Sequence, residues 1–284
     1  MQVIGRIDEV RARRRQTAGH SLGLVPTMGY LHAGHMAVVE RARRENDLVA
    51  VSIFVNPAQF APGEDLATYP RDLGRDLGLL AAAEVDLVFT PDAESMYPAG
   101  FQTQVVAERL SRLLEGASRP GHFQGVLTVV AKLFNIFQPT RAYFGQKDAQ
   151  QALLVRRMAA DLNFDLEVVV CPTVREPDGL ALSSRNVRLS PAQRAAASAL
   201  HRALQTAAQA VRAGERRGDV VRERMRAVIA AEPLAQLDYA SAANPHTLAE
   251  LEELEGSVLL SLAVRFRDVR LIDNLLLEGL APAA

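Results

Sequence analysis

Two imidazoles three residues apart, His32 and His35, close the string Leu24-Val25-Pro26-Thr27-Met28-Gly29-Tyr30-Leu31-His32-Ala33-Gly34-His35. The chemistry such a string suits is phosphate binding. Apolar Met36, Val38 and Val39 interleaved with charged Glu40, Arg41, Arg43 and Arg44 predict a helix beginning near Gly34. The string therefore delivers both histidines to a helix N-terminus, where free backbone N–H groups and the helix dipole favour an anion. Gly29 and Gly34 let ligand atoms approach the main chain. The imidazoles add directed donors, and their charging could be coupled to arrival of a triphosphate, because the helix terminus disfavours an imidazolium that the ligand favours. Either histidine alone reads more simply as part of a β–turn–α connection; the whole string points to function.

Three other sets carry polar chemistry. Gly145-Gln146-Lys147-Asp148 follows the apolar Ala142-Tyr143-Phe144 and precedes a helix, so Lys147 lies where a strand hands over to a helix and can place a point charge on a phosphate. Asp148 there is a helix cap or a partner for a sugar hydroxyl or a metal-bound water. Leu182-Ser183-Ser184-Arg185-Asn186 offers two hydroxyls and a guanidinium in a Gly- and Pro-flanked loop, the composition of a mobile phosphate clamp; Ser190 before Pro191 is the expected helix cap. Gln59, in Asn56-Pro57-Ala58-Gln59-Phe60, and Gln151 are uncharged amides able to orient a small hydroxy acid, with Pro26, Met28, Phe54 and Val130 as an apolar wall. Arg119 to Phe123 is a weaker candidate for substrate or phosphate donors. Asp65, Asp72 and Asp76 read as a solvated face rather than a metal cage, and no His/Cys/carboxylate set has ligand spacing, so no metal residue is assigned and any magnesium arrives with ATP.

The elements that must position these residues are short apolar runs at Leu22 to Val25, Leu48 to Val55, Val85 to Phe89, Ala142 to Phe144 and Leu166 to Val170, separated by segments of helical period. Such runs predict strands buried on both faces, joined by helices into a doubly wound parallel sheet of the α/β class. Polar segments after the first, second and fourth runs then share the carboxyl rim, where ligands bind in such sheets. Beyond Cys171 the texture changes. Pro172, Pro177 and Gly179 place a hinge near Val174, and helical segments over Pro191 to Gly214 and Asp219 to Ala231 lead to strand-like Leu237 to Ala242, Val258 to Val264 and Val269 to Ile272. The expected division is residues 1–174 as the main domain and 175–284 as a smaller α+β lid. The late strands could alternatively extend the main sheet.

A chain of 284 residues that is 49% hydrophobic can bury a large core, and 32 basic against 33 acidic residues give no electrostatic reason to expect nucleic acid or an anionic membrane. The Arg11, Arg13, Arg14, Arg15 run reads as a solvated helix face. One cysteine cannot build a disulfide framework, and no uncharged run approaches a bilayer span, so a cytoplasmic protein acting on small molecules is expected. A P-loop and a G-x-G-x-x-G fingerprint are both absent.

With these residues in hand, the chain resembles the pantothenate synthetase (pantoate–β-alanine ligase) family of the His-x-Gly-His nucleotidyltransferase superfamily. The resemblance is carried nearly full length by Val25 to Gly29, His32 to His35, Val51 to Pro57, Leu114 to Phe123, Phe144 to Asp148, Leu182 to Asn186 and Arg270-Leu271-Ile272-Asp273-Asn274. The His-x-Gly-His signature alone leaves cytidylyltransferases, adenylyltransferases and class I aminoacyl-tRNA synthetases open, and a nucleotide-responsive scaffold is a non-enzymatic alternative. The resemblance implies a Rossmann-like first domain, a smaller second one, a homodimer, and ATP- and magnesium-dependent joining of pantoate and β-alanine in coenzyme A biosynthesis. It further implies ATP contacts at Met28, Gly29, Tyr30, Leu31, His32, Ala33, Gly34, His35, Gly145, Gln146, Lys147, Asp148, Val174, Leu182, Ser183, Ser184 and Arg185. His35 matches the family's proposed proton donor, His32 its phosphate-binding companion, and Lys147 the third catalytic position. Gln59 matches a pantoate and β-alanine contact and Gln151 a second pantoate contact. Ala58, where many relatives carry Met, and Gln146, where some carry Glu, depart from the pattern without threatening the reaction class.

Overall fold

The computed structural model describes residues 1–281. Nine strands are present among them: β1 (Gln2–Ile4), β2 (Leu22–Thr27), β3 (Leu48–Ile53), β4 (Leu87–Phe89), β5 (Arg141–Gly145), β6 (Glu167–Cys171), β7 (Gln236–Ala243), β8 (Gly256–Phe266) and β9 (Val269–Leu280). The first six form one parallel sheet in the order β1-β4-β3-β2-β5-β6, and the last three a separate antiparallel sheet in the order β7-β8-β9. The late strands thus build a second sheet rather than extending the first. The chain divides into two units. One comprises Met1–Ser111, Arg119–Gln146 and Gln150–Pro172; the other comprises Arg112–Ser118, Lys147–Ala149 and the residues from Thr173 onward.

In the first unit the period-2 alternation of each strand feeds two apolar layers. Leu24, Ala50, Leu87, Phe89, Ala142 and Phe144 join one layer with Val10, Met158 and the apolar face of the His122–Phe137 helix. Val25, Val49, Val51, Val88, Tyr143 and Val169 join the other with Val38, Val39 and Ala42 of the Ala33–Glu45 helix and Leu80 of the Leu73–Ala82 helix. Burial on both faces is why these strands carry almost no polar residue, and each fully buried Leu or Val contributes about 1.5–3 kcal/mol.

Strand order reverses at β2, which has β3 on one side and β5 on the other. The β2–β3 ladder runs all six residues from Leu22↔Leu48 to Thr27↔Ile53, whereas β2 and β5 share only Gly23↔Arg141 and Leu24↔Ala142. Their carboxyl halves are not laddered to each other, and this is the switch point, the general ligand position of open α/β sheets. Pro26, with no N–H to give, lies beyond the last rung shared with β5.

In the second unit the helices Pro191–Ala197, Ala199–Arg212 and Gly218–Ala230 bury Ala203, Leu204, Ala207, Ala208, Val211 and Met225 against Val258, Leu260, Leu262 and Val264 of β8. Alanine along the buried stripe lets helix and sheet backbones approach closely. The predicted continuous helix from Pro191 is interrupted at Ser198, which closes one helix and opens the next.

Candidate functional site

β2 ends at Thr27, whose hydroxyl donates to the Ser52 carbonyl of β3 (2.7 Å) and accepts the Gly29 amide (3.2 Å). The turn that follows needs left-handed backbone at Gly29 (φ 80°) and Tyr30 (φ 51°). A Cβ at Gly29 would lie 2.9 Å from Ile53 Cγ2 and 3.0 Å from Asp76 Oδ2, so glycine is required there on two counts. Asp76 holds the turn. Its carboxylate, 1% exposed, accepts the Tyr30 amide through Oδ2 and the Leu31 amide through Oδ1, both at 2.7 Å. Far from lying on a solvated face with Asp65 and Asp72, Asp76 is on the apolar side of the Leu73–Ala82 helix with Leu77 and Leu80; Asp72 is that helix's cap.

His32 caps the Ala33–Glu45 helix. Its Nδ1 accepts the Gly34 amide (3.1 Å) and His35 Nδ1 accepts the His32 amide (3.3 Å), with ring centroids 4.0 Å apart. An acceptor nitrogen carries no proton, so both neutral rings hold theirs on Nε2 and are N–H donors there. The amides of Gly29, His32 and Gly34 have acceptors within the turn, in Thr27, His35 and His32, and those of Tyr30 and Leu31 have Asp76 of another helix, so these five are not open in the way the sequence suggests.

Gln59 is buried, and its orientation follows from obligate partners. The Ala58 amide donates to Asn56 Oδ1 (3.2 Å) and Asn56 Nδ2 donates to the Gly125 carbonyl (3.1 Å), which fixes the Asn56 amide. Tyr97, whose phenol is pushed up to about 12 by burial against the opposing pull of its bond to Asn56, donates to Asn56 Oδ1 at 2.7 Å. Asn56 Nδ2 then donates to Gln59 Oε1 (3.0 Å), leaving Gln59 Nε2 directed at Met28 Sδ (3.2 Å) in the histidine turn. Gln59 thus presents a donor, not an acceptor, beside Met28. Close approach of the His122–Phe137 helix makes this possible: a Cβ on Gly125 would meet Ala58 O at 2.2 Å.

Arg119 and His122 are committed within the first unit rather than offered to a ligand. Arg119 grips Glu64 with two bonds (2.7 and 2.8 Å) and donates to His122 Nε2 (3.0 Å), so His122 Nδ1–H donates to the Gln59 carbonyl (2.8 Å). Burial alone would raise the Glu64 carboxyl, but the hydrogen bonds and charge of Arg119 outweigh it and hold it below the usual range. The stability this contributes is full above the unfolded Glu value near ~4.3 and is lost as pH falls through the lower folded value. The wild-type advantage over Glu64→Gln in urea unfolding is therefore expected to be about 1 kcal/mol at pH 7 and to disappear as pH falls through the lowered folded value; an advantage unchanged by acid would refute the pairing.

Gly145 ends β5, and Gln146–Asp148 form a 3₁₀ turn before the Ala149–Asp161 helix, in whose first turn Gln151 is half-buried. In the second unit Lys147 Nζ lies 3.4 Å from Asp148 Oδ1. The Val174 carbonyl accepts the Leu182 amide (3.0 Å). Ser183, of the expected mobile phosphate clamp, caps a 3₁₀ turn over Ser184–Arg188 by accepting the Arg185 amide (3.3 Å), and Ser184 is buried. Ser190 caps the next helix in a reciprocal arrangement with Gln193. Gly19 to Gly23 has G-x-S-x-G spacing, but Ser21 precedes a strand instead of following one and binds exposed Asp47, so it is no nucleophile.

Sequence reasoning missed Asp76, Asn56, Tyr97 and Glu64. A carboxylate on the apolar stripe between Leu73 and Leu80 was the signal for the first; no local pattern marks the others. Among the described residues no three His, Cys, Asp or Glu side chains cluster as a metal site, and no helix is long and apolar enough to cross a membrane.

The pantoate-beta-alanine ligase family profile matches residues 2–276. A pantothenate synthetase of Chloroflexus aggregans is 63% identical over 279 residues, covering 98% of this chain and 100% of that one. A pantothenate synthetase structure from Thermus thermophilus superposes with a TM-score of 0.93 at 52% identity, covering 97% and 99% of the two chains. The pantoate-beta-alanine ligase of Francisella tularensis, complexed with beta-gamma ATP and beta-alanine, gives 0.80 at 35% identity over 97% of each. The chain is an enzyme and belongs to the pantoate-beta-alanine ligase family.

Proposed function

We propose that this ligase condenses (R)-pantoate and β-alanine to pantothenate through a pantoyl-adenylate, releasing AMP and pyrophosphate, as a step of coenzyme A biosynthesis. One observation carries the reading: the Gln59 amide donor meets Met28 of the turn after β2 that holds the adjacent, tilted His32 and His35 rings. A donor suited to a hydroxy acid thus meets the turn that carries donors suited to phosphate. The ATP and β-alanine named with the Francisella ligase support the same substrates here.

A carboxylate resists amines because oxide is a poor leaving group. In the first step a pantoate carboxylate oxygen attacks the α-phosphorus of ATP, the bond to the bridging oxygen breaks, and pyrophosphate leaves with that electron pair. Nε2–H of His32 and His35, together with Lys147 and the Ser183, Ser184 and Arg185 loop, serve the charge that builds on the phosphates; no proton transfer from His35 is needed for pyrophosphate to depart. Gln59 and Gln151 hold pantoate, with Phe54 and Val130 as its apolar wall. In the second step the neutral amine of β-alanine, oriented by Gln59, attacks the acyl carbon, loses a proton and expels AMP. Met28 to His35, Gly145 to Asp148, Val174 and Leu182 to Arg185 make up the ATP positions. Magnesium enters on ATP, as part of the substrate. On this reading residues 1–174 bind ATP and pantoate, 175–284 serve as the lid, and the enzyme works as a cytoplasmic homodimer.

The test is isotope exchange between ATP and pyrophosphate with pantoate present and β-alanine omitted. Exchange that requires pantoate is the expected result, because adenylation precedes amine attack. Exchange absent under those conditions, in protein that still makes pantothenate when all three substrates are supplied, would sink the adenylate route.

A further inference from the structure

The Arg270 to Asn274 string is part of the family resemblance, yet none of it has a place in the chemistry above. Asp273 and Asn274 lie on β9, where they pair with Leu262 and Ser261 of β8, and are 2% and 4% exposed. Consecutive strand residues face opposite sides of a sheet, so two adjacent polar side chains buried in a β-strand serve two different neighbours. One neighbour, Arg175, lies in the hairpin between the candidate positions Val174 and Leu182, and the other, Lys147, is itself a candidate ATP position of the second unit.

Asp273 serves the first. Its carboxylate takes both terminal nitrogens of Arg175 (2.6 and 2.9 Å) and the amide of Asn274 (2.7 Å). Arg175 also donates to the Gly179 carbonyl (3.0 Å) and bridges to Ala181 across a small hairpin closed by Leu182 N–H to Val174 O and Glu176 N–H to Leu180 O. The tip of that hairpin has no freedom: Gly179 sits at φ 91° with the His201 ring against it, where a Cβ would meet His201 Cδ2 at 2.0 Å. Its outgoing arm leads directly into Leu182-Ser183-Ser184-Arg185. A bidentate guanidinium–carboxylate pair fixes direction as well as distance, so Asp273 sets where this arm begins.

Asn274 serves the second. Its Nδ2 donates to the main-chain carbonyl of Lys147 at 2.9 Å. Lys147 has a long flexible side chain, and a point charge is only as well placed as the backbone that carries it. Fixing the carbonyl of that residue fixes the origin of the side chain.

We propose that Asp273 and Asn274 are a positioning pair that holds the Lys147 turn and the Ser183 to Arg185 loop in fixed register, so that both cationic groups meet one polyphosphate together. The inference rests on the assignment of those two segments to ATP. On this proposal both residues act through the residues they hold.

Asp273 is the wrong place to test this, since its removal leaves the Arg175 guanidinium without its carboxylate and threatens the fold. Asn274→Ala removes the donor to Lys147 O, and Asn274→Asp, which keeps size and shape, turns that donor into an acceptor facing an acceptor. Both are to be measured by pantoate-dependent ATP–pyrophosphate exchange in Lys147 and in Lys147→Ala backgrounds, with urea unfolding alongside. The expected result is a fall in kcat of about 10- to 100-fold with KM for pantoate unchanged, shrinking to less than about twofold when Lys147 is already alanine, since the pair can then lose nothing through it. A loss of equal size in both backgrounds, or kcat within about twofold of wild type in a folded variant, overturns the proposal while leaving the ligase reading intact. Absence of pantoate-dependent exchange in the unsubstituted enzyme overturns the reading and this inference with it.

Discussion

Lys147→Ala is expected to slow pantoate-dependent ATP–pyrophosphate exchange by about 10²- to 10³-fold while leaving the urea midpoint of unfolding unchanged. The size follows from what one preorganised charge aimed at a departing phosphate contributes to a transition state. The selectivity follows from surroundings. The ammonium's ion partner is Asp148 at 3.4 Å, itself nearly half exposed, so its removal strands no buried carboxylate. Lys147→Arg is expected to recover little, because a planar fork on a different stem places its charge elsewhere. Lys147→Met keeps the volume without the charge and should match alanine. A folded Lys147→Ala enzyme within about threefold of wild type would remove Lys147 from the chemistry.

Asp76→Ala is expected to lower both stability and activity, the first by about 3 kcal/mol. Two main-chain amides at 2.7 Å lose a charged acceptor, each bond to such a group contributing about 1.5–3 kcal/mol, and no water route is evident for a carboxylate that is 1% exposed. Activity falls for a separate reason. Tyr30 is held at φ 51° by that carboxylate, and the next residues place both imidazoles. Asp76→Asn is the sharper variant: one amide keeps an oxygen while the other faces an NH₂ group, so half of the clamp is lost with the volume preserved. It should retain more stability than alanine and still lose most of the exchange rate, mainly through a raised KM for ATP. A folded Asp76→Asn enzyme with unaltered KM and kcat would show that the turn holds its shape unaided.

The parts of this fold legible in the sequence are those where local pattern and tertiary demand coincide. β2, β3, β5 and β6 are apolar runs because helices cover both faces of the sheet, and Ser190 before Pro191 is a cap in either context. β1 was invisible. Three residues with Gln2 and Val3 exposed show no period, and the strand exists through its pairing with Leu87 to Phe89, far along the chain. The chemistry divides the same way. His32, His35, Lys147 and Gln59 stand in turns whose composition signals them, whereas the groups that orient them do not. Asn56 is set by Gly125 and Tyr97, His122 by Arg119 and Glu64, and Asp273 by Arg175. Each such partner is remote in sequence and chosen by the fold. In the histidine turn the sequence shows the main-chain amides but not the buried carboxylate, recruited from another helix, that takes those of Tyr30 and Leu31.

The paired use of each imidazole has a consequence for how this enzyme can change. In His32 and His35 one ring nitrogen accepts a main-chain amide at the start of a helix, so whatever the other nitrogen is proposed to do is carried on the same rigid ring that anchors the scaffold. Drift at either position must keep that acceptor in place whatever else it changes, a demand that few side chains meet. Architecture, as much as reactivity, narrows what can stand there.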